Sequence, residues 1–150
     1  MGVRTKLIRG RKQMQREFSR SFDELRNIVA FTEAFFEQEQ IDPSLRNIVD
    51  LCLEELFVNM VTYNTETDQD ILVELELRDG GVAVSLTDYD VERFDPRQVG
   101  PVDVEAPLED REPGGLGLYL VMKMANAIYY EYRDRTSKIT FIADGVAKDV

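Results

Sequence analysis

Glu55 and Asn59, four residues apart, are the two side chains of this chain best spaced to do chemistry together. On a helix they stack on one face. There a carboxylate can take a proton as a general base, and an amide oxygen beside it can hold Mg2+, a hard cation that prefers oxygen ligands. A solvated acid next to a surface amide is the alternative that spacing leaves open. Asp88 closes an alternating apolar run (Val82, Val84, Leu86). A carboxylate at such a strand end can accept a hydrogen bond from an exocyclic amine such as that of adenine, or can simply end the strand as a turn residue. Gly114, Gly115 and Gly117, with Leu116 between them, run without a break into Leu118, Leu120, Val121 and Met124. Glycines admit a close main-chain approach. A helix starting there presents free N–H groups and the positive end of its dipole, which suits phosphate. A plain loop-to-helix junction is the competing reading. Arg111, just upstream, can offer two parallel donors to phosphate oxygens or pair with Asp110 or Glu112.

Positioning these residues requires an α+β framework. Ser21 and Glu24 form a capping-box pattern, and Leu25, Ile28, Val29, Thr32, Phe35 and Phe36 recur at helical spacing, so a first helix is predicted to about Gln40. Asp42-Pro43 starts a second helix over about 44–63. Its apolar stripe is Leu45, Ile48, Val49, Cys52, Leu56, Met60 and Tyr63. Glu55 and Asn59 flank that stripe, while Glu54 faces solvent. Ile71, Val73, Leu75 and Leu77 alternate with polar residues, Asp79-Gly80-Gly81 reverses the chain, and Val82, Val84 and Leu86 alternate back as a hairpin. Met14–Phe18 reads as a short first strand, and strands near Tyr129–Arg133 and Lys138–Ala143 close the chain. Residues 89–113 lack a period and hold Pro96, Pro101, Pro107 and Pro113. This predicts a lid or mobile loop over about 95–113, before a third helix over about 116–128.

Composition narrows the function classes. A chain of 150 residues with 43% hydrophobic content can bury one core, so residues 1–150 are expected to form a single domain. The single cysteine, Cys52, excludes an internal disulfide, and the absence of histidine excludes histidine triads and histidine metal ligands. Neither a signal peptide nor a membrane-length apolar run is visible, so a cytoplasmic protein without membrane attachment is expected. Residues 1–16 carry six bases and no acid, whereas the remainder carries 12 bases against 29 acids, a net −17. An acidic body disfavours direct nucleic-acid binding. The basic arm over about 1–13 is expected to be a partly ordered, solvated end, with contact to an acidic partner or to the body itself as alternatives.

The order of parts resembles a known family. It comprises Glu55-Leu-Phe-Val-Asn59, a strand ending in Asp88 with Phe94-Asp95-Pro96 after it, and then Pro-Leu-Glu-Asp-Arg-Glu-Pro-Gly-Gly-Leu-Gly-Leu-Tyr-Leu-Val over 107–121. This is similar to the ATPase domain shared by histidine kinases, gyrase and mismatch-repair ATPases, and most similar to the stand-alone anti-sigma regulatory factor serine/threonine kinases. The resemblance spans roughly 14–143. It implies a Bergerat-type two-layer α/β sandwich, a mixed sheet of four or five strands covered on one face by three helices. It also implies ATP and Mg2+ as cofactors, Glu55 as general base, Asn59 as the Mg2+ ligand and Asp88 as the adenine reader. The phosphates would be wrapped by Gly114, Gly115, Leu116 and Gly117 with Arg111. The implied activity is phosphorylation of a serine or threonine on a partner, a sigma factor or anti-anti-sigma-type regulatory protein, with room for a homodimer. The runner-up is a non-catalytic module that sequesters such a partner.

Two positions depart from the family pattern. Asp-x-Gly is expected where Asp88-Tyr89-Asp90 stands, which puts a side chain and a negative charge where the nucleotide approaches and predicts weaker binding. Tyr63 replaces a histidine common four residues after the asparagine.

Overall fold

The computed structural model describes residues 4–8, 11–78, 80–93 and 115–145, with the side chains of 4–8, 11, 115–117 and 119 excepted. The elements run β1 (Arg4–Ile8), β2 (Arg11–Phe18), α1 (Leu25–Glu39), α2 (Arg46–Tyr63), β3 (Ile71–Arg78), β4 (Gly81–Tyr89), α3 (Gly115–Met124), β5 (Ala127–Arg133) and β6 (Thr136–Ala143). Six strands form one sheet in the order β1-β2-β3-β4-β6-β5. Every pairing among them is antiparallel, so the sheet is not mixed and exceeds the four or five strands expected. Hairpins join β1–β2, β3–β4 and β5–β6, and a hairpin can only pair antiparallel. The α+β, two-layer architecture is otherwise as the sequence implies.

The period of two divides the sheet into two faces. Phe18, Ile71, Val73, Leu75, Val84, Leu86, Ile139 and Phe141 share one face by register and are buried in the core with the apolar sides of the three helices. Phe18 and Phe31 meet edge to face with ring centroids 5.7 Å apart. The other face is polar: Gln13 Nε2 donates to Glu74 Oε2 at 2.8 Å, and Ser85 and Thr140 share a hydroxyl hydrogen bond of 2.8 Å.

Helix starts follow the capping chemistry, with local shifts. Ser21 Oγ accepts from the Asp23 amide at 3.1 Å and opens a 3-10 turn over Phe22–Glu24 that leads into α1. Glu24 reaches back to the Ser19 amide at 2.9 Å, two residues before the Ser21 amide that a standard capping box would use. Asp42 Oδ1 accepts from the Ser44 amide at 2.9 Å, and that bond lowers the Asp42 pKa. On α1 the buried residues are Ile28, Phe31, Thr32, Phe35 and Phe36, whereas Val29 is 44% exposed, so the stripe lies one position away from where the spacing centred it. Thr32 Oγ1 donates to Asp50 Oδ1 at 2.8 Å and joins α1 to α2.

Two further expectations are corrected. The basic arm forms β1 and the first part of β2, because an edge strand needs only backbone partners and tolerates lysine and arginine outward. Lys12 reaches Glu39 of α1 at 3.7 Å, so part of the arm's charge is spent on the acidic body. The third helix stops at Met124 rather than about 128. The Asn126 amide donates to Ile142 O at 2.8 Å and draws the chain into the sheet, where β5 begins at Ala127.

The β3–β4 reversal is a two-residue turn enclosed by the Arg78–Gly81 pair, with Gly80 in the left-handed region at φ 74°. A Cβ on Gly81 would lie 2.6 Å from Asp144 Cα and against Ala143 O, so the backbone of β6 passes where a side chain would stand. Gly81→Ala is therefore expected to lower stability by about 2 kcal/mol, measured by urea unfolding. A change below ~0.5 kcal/mol would show that the β4–β6 edge yields freely.

Candidate functional site

Asp88 is the most enclosed of the anticipated functional residues. It falls on the helix-facing side of β4, in register with Ser137 of β6 and two residues after Leu86. Its side chain is 0% exposed, and burying an ionised carboxylate is costly unless it is paired and hydrogen-bonded. Arg20 supplies the pairing. Nη1 donates to Oδ1 at 2.5 Å and Nη2 to Oδ2 at 3.2 Å, a two-donor fork. Asn64 Nδ2 donates to Oδ2 at 2.7 Å. The same guanidinium reaches Met60 O at 2.8 Å, Asn64 O at 3.1 Å and Gln69 O at 3.2 Å. It thus caps the carbonyl end of α2, where a cation is favoured.

This network places α2 relative to β4. Asn64 is the C-terminal cap of α2 and contacts Asp88, so the last turns of the helix stand at the end of β4. Asn59 precedes Met60, whose carbonyl accepts from Arg20, by one residue, and Glu55 lies one turn earlier. Both are half-buried beside the fully buried Leu56 and Phe57. Glu55's pKa is raised, first by burial and then by the negative charge of Glu54 next to it, whereas Glu54 is exposed as the pattern predicts. Tyr63, in the position of the common histidine, is 43% exposed.

Asp90 takes the backbone conformation a glycine would provide, with φ 59°. Aspartate is among the few residues that visit this region at modest cost. Its carboxylate turns to Arg135, whose Nε donates to Oδ1 at 2.8 Å and whose own pKa rises because of that bond. Arg135 sits in the β5–β6 turn, where Asp134 and Arg135 both have positive φ, at 53° and 60°. The chain after β4 is tied down further. The Val91 amide donates to Arg135 O at 2.9 Å, Tyr132 Oη donates to Val91 O at 2.8 Å, and the Glu92 amide donates to Glu66 Oε1 at 2.9 Å.

Gly115, Leu116 and Gly117 form the first turn of α3, which packs against α2 and buries Leu118 and Val121, with Ala125 buried just after it. Of the glycine-to-helix transition anticipated from sequence, the described residues show the helical side, which begins at Gly115, one residue before the predicted start. Arg111, Gly114 and the proline-rich stretch over about 95–113 lie outside the described residues. A cavity of about 460 Å3 is lined by Glu17, Asp68, Gln69, Asp70 and Tyr89, and its carboxylates would repel a polyphosphate. Among the described residues no three His, Cys, Asp or Glu side chains converge to hold a metal. No helix of the described residues is long and apolar enough to cross a membrane.

Arg20, Asn64 and Arg135 were not anticipated. Arg20 belongs to no helical or strand pattern, Asn64 follows the last turn of α2, and Arg135 lies 45 residues from Asp90. No sequence spacing points to any of the three.

The fold is shared with a solved structure, and the sequence matches a known family. The model of the histidine kinase-like ATPase domain matches residues 18–143. The serine/threonine-protein kinase BtrW of Bordetella bronchiseptica is 31% identical over 97 residues, covering 64% of this chain and 68% of BtrW. The solved RsbU and RsbW domains of Rv1364c from Mycobacterium tuberculosis share the fold at a TM-score of 0.60 and 15% identity. That match covers 87% of this chain and 31% of the larger protein. With the family model spanning most of the chain and the sheet, helices and glycine-led α3 in their places, the protein belongs to the histidine kinase-like ATPase domain family.

Proposed function

We propose that this domain binds Mg2+-ATP and transfers the γ-phosphoryl group to a serine or threonine hydroxyl of a partner regulatory protein, a sigma factor or an anti-anti-sigma-type regulatory protein. The observation that carries the reading is the half-buried Glu55 with its raised pKa, one turn before Asn59 on a helix whose end contacts Asp88. The name of BtrW, a serine/threonine-protein kinase, supports the choice of hydroxyl acceptor.

In this scheme the partner's hydroxyl is held against Glu55, which takes its proton as the oxygen–phosphorus bond forms and the bond from the γ-phosphorus to the bridging oxygen breaks, releasing ADP. Asn59 would hold Mg2+ through its amide oxygen, and the ion would supply charge neutralisation to the phosphates. The amides at the start of α3, with Gly115 and Gly117 leaving room for close approach, would bind phosphate oxygens, joined by Gly114, Leu116 and Arg111. Asp88 would accept from the adenine amine.

A degenerate, purely sequestering module is the rival reading, and it rests on Asp90. The backbone of Asp90 takes the left-handed conformation that glycine would provide, and Arg135 answers its carboxylate, which supports nucleotide binding despite the side chain. Asp90→Gly is accordingly expected to change Mg2+-ATP affinity by less than about threefold and stability by less than ~1 kcal/mol, by calorimetry and thermal unfolding. A tenfold gain in affinity would put the aspartate side chain in the path of the base.

Glu55→Gln should reduce phosphoryl transfer to the partner by roughly 10²–10⁴-fold while leaving the ATP dissociation constant within about threefold. Equal loss of both would remove Glu55 from the chemistry. The acid limb of transfer should also lie above the ordinary glutamate value of 4.5, because burial favours the protonated, inactive form. Glu54→Gln removes the neighbouring negative charge, favours ionised Glu55 and should move that limb to lower pH. A limb that stays in place or moves to higher pH would assign it to another group.

A further inference from the structure

Arg20 lies on the connection from β2 to α1, outside every motif that suggested a function, yet its side chain is only 10% exposed and meets a fully buried carboxylate. Each of its four terminal N–H bonds is committed. Nη1 serves Asp88 Oδ1 and Gln69 O, and Nη2 serves Asp88 Oδ2 and the carbonyls of Met60 and Asn64. Three of these five acceptors are main-chain oxygens, fixed by the end of α2 and the segment before β3. Arg20 is therefore anchored independently of Asp88, and Asp88 is the group being oriented. Asp88 has two oxygens with about four acceptor directions. Oδ2 spends both of its own on Arg20 and Asn64, while among the described residues Oδ1 accepts from Arg20 alone.

We propose that Arg20 is a positioning residue for base selection, fixing the Asp88 carboxylate so that one acceptor direction on Oδ1, not reached by solvent in this structure, is kept for an exocyclic amine. The proposal rests on the nucleotide-binding reading above. A carboxylate pinned as an acceptor welcomes an amine at C6 of a purine and repels a carbonyl oxygen there, since two lone pairs would face each other. A site built to hydrogen-bond one group rejects the analogue lacking it far more strongly than packing does. Without Arg20, the carboxylate loses its charge partner and one of the two groups that fix its rotation. It can then turn or hydrate, so that its lone pair no longer faces an incoming C6 carbonyl in one fixed direction.

The test is calorimetric titration of wild type, Arg20→Lys, Arg20→Met and Asn64→Ala with Mg2+-ATP and with Mg2+-inosine triphosphate, which carries a carbonyl at C6. Wild type should prefer ATP, and both Arg20 variants should lose about tenfold or more of that preference while still unfolding cooperatively. Asn64→Ala, which removes one bond to the same carboxylate, should move the ratio in the same direction by less. Both nucleotides weakening by one common factor in the Arg20 variants is what a purely structural staple would give, and it would overturn the proposal. Should neither Arg20 variant fold, an unchanged ratio in Asn64→Ala overturns it. Wild type binding neither nucleotide defeats the nucleotide-binding reading and this proposal together, and is recognised before any substitution is made.

Discussion

A buried carboxylate needs a partner, and in this protein that requirement joins four stretches of chain. Asp88 has no solvent, and the cost of its charge is met by Arg20 from the β2–α1 connection and Asn64 from the cap of α2. The rest of the guanidinium is taken up by carbonyls at the end of α2 and before β3. Breaking such a pair from one side leaves an uncompensated buried charge, typically a loss of about 3–5 kcal/mol. The end of β4, the end of α2 and the entry to α1 therefore hold a common geometry, and Glu55 and Asn59 inherit their placement from it.

The second constraint is backbone conformation after β4. A left-handed residue is needed at position 90, and aspartate meets that need at a cost that glycine would avoid. The Arg135 pair returns part of the cost and gives the β5–β6 turn a purpose beyond reversing the chain. Val91 is fully buried and held by Arg135 and Tyr132. The segment leaving β4 is thus set by β5 and β6, although it follows β4 in sequence. Where the resemblance leads one to expect glycine, this chain carries a side chain whose charge is answered locally.

Charge distribution shows the same economy. The net −11 of the chain is concentrated outside residues 1–16, and β1 and β2 place much of that basic stretch along the sheet edge. Lys12 meets Glu39, and on the polar sheet face Lys138 stands 3.8 Å from Glu74. With the lysine of each pair reaching solvent, such contacts contribute little stability each. Their effect is to reduce repulsion within an acidic body while leaving the apolar face of the sheet to the helices.

Local rules were legible in the sequence wherever neighbours in the chain are neighbours in space. Helical spacing located α1 and α2, the period of two and Gly80 located β3 and β4, and the four-residue interval put Glu55 and Asn59 on one face, because each signal lies within a few bonds. The resemblance carried by Glu55, Asn59, Asp88 and the glycine cluster identified the family for the same reason, since its motifs are short and contiguous. Long-range choices were not legible. Antiparallel closure of β4 on β6, the recruitment of the basic arm as β1, and the stop of α3 at Met124 depend on backbone hydrogen bonds to strands distant in sequence. Arg20, 68 residues from Asp88, and Arg135, 45 residues from Asp90, acquire their roles only when folding removes water from a carboxylate or bends a turn toward one. Spacing specifies which face a side chain occupies, whereas the partner of a buried charge is set by the packing that buries it.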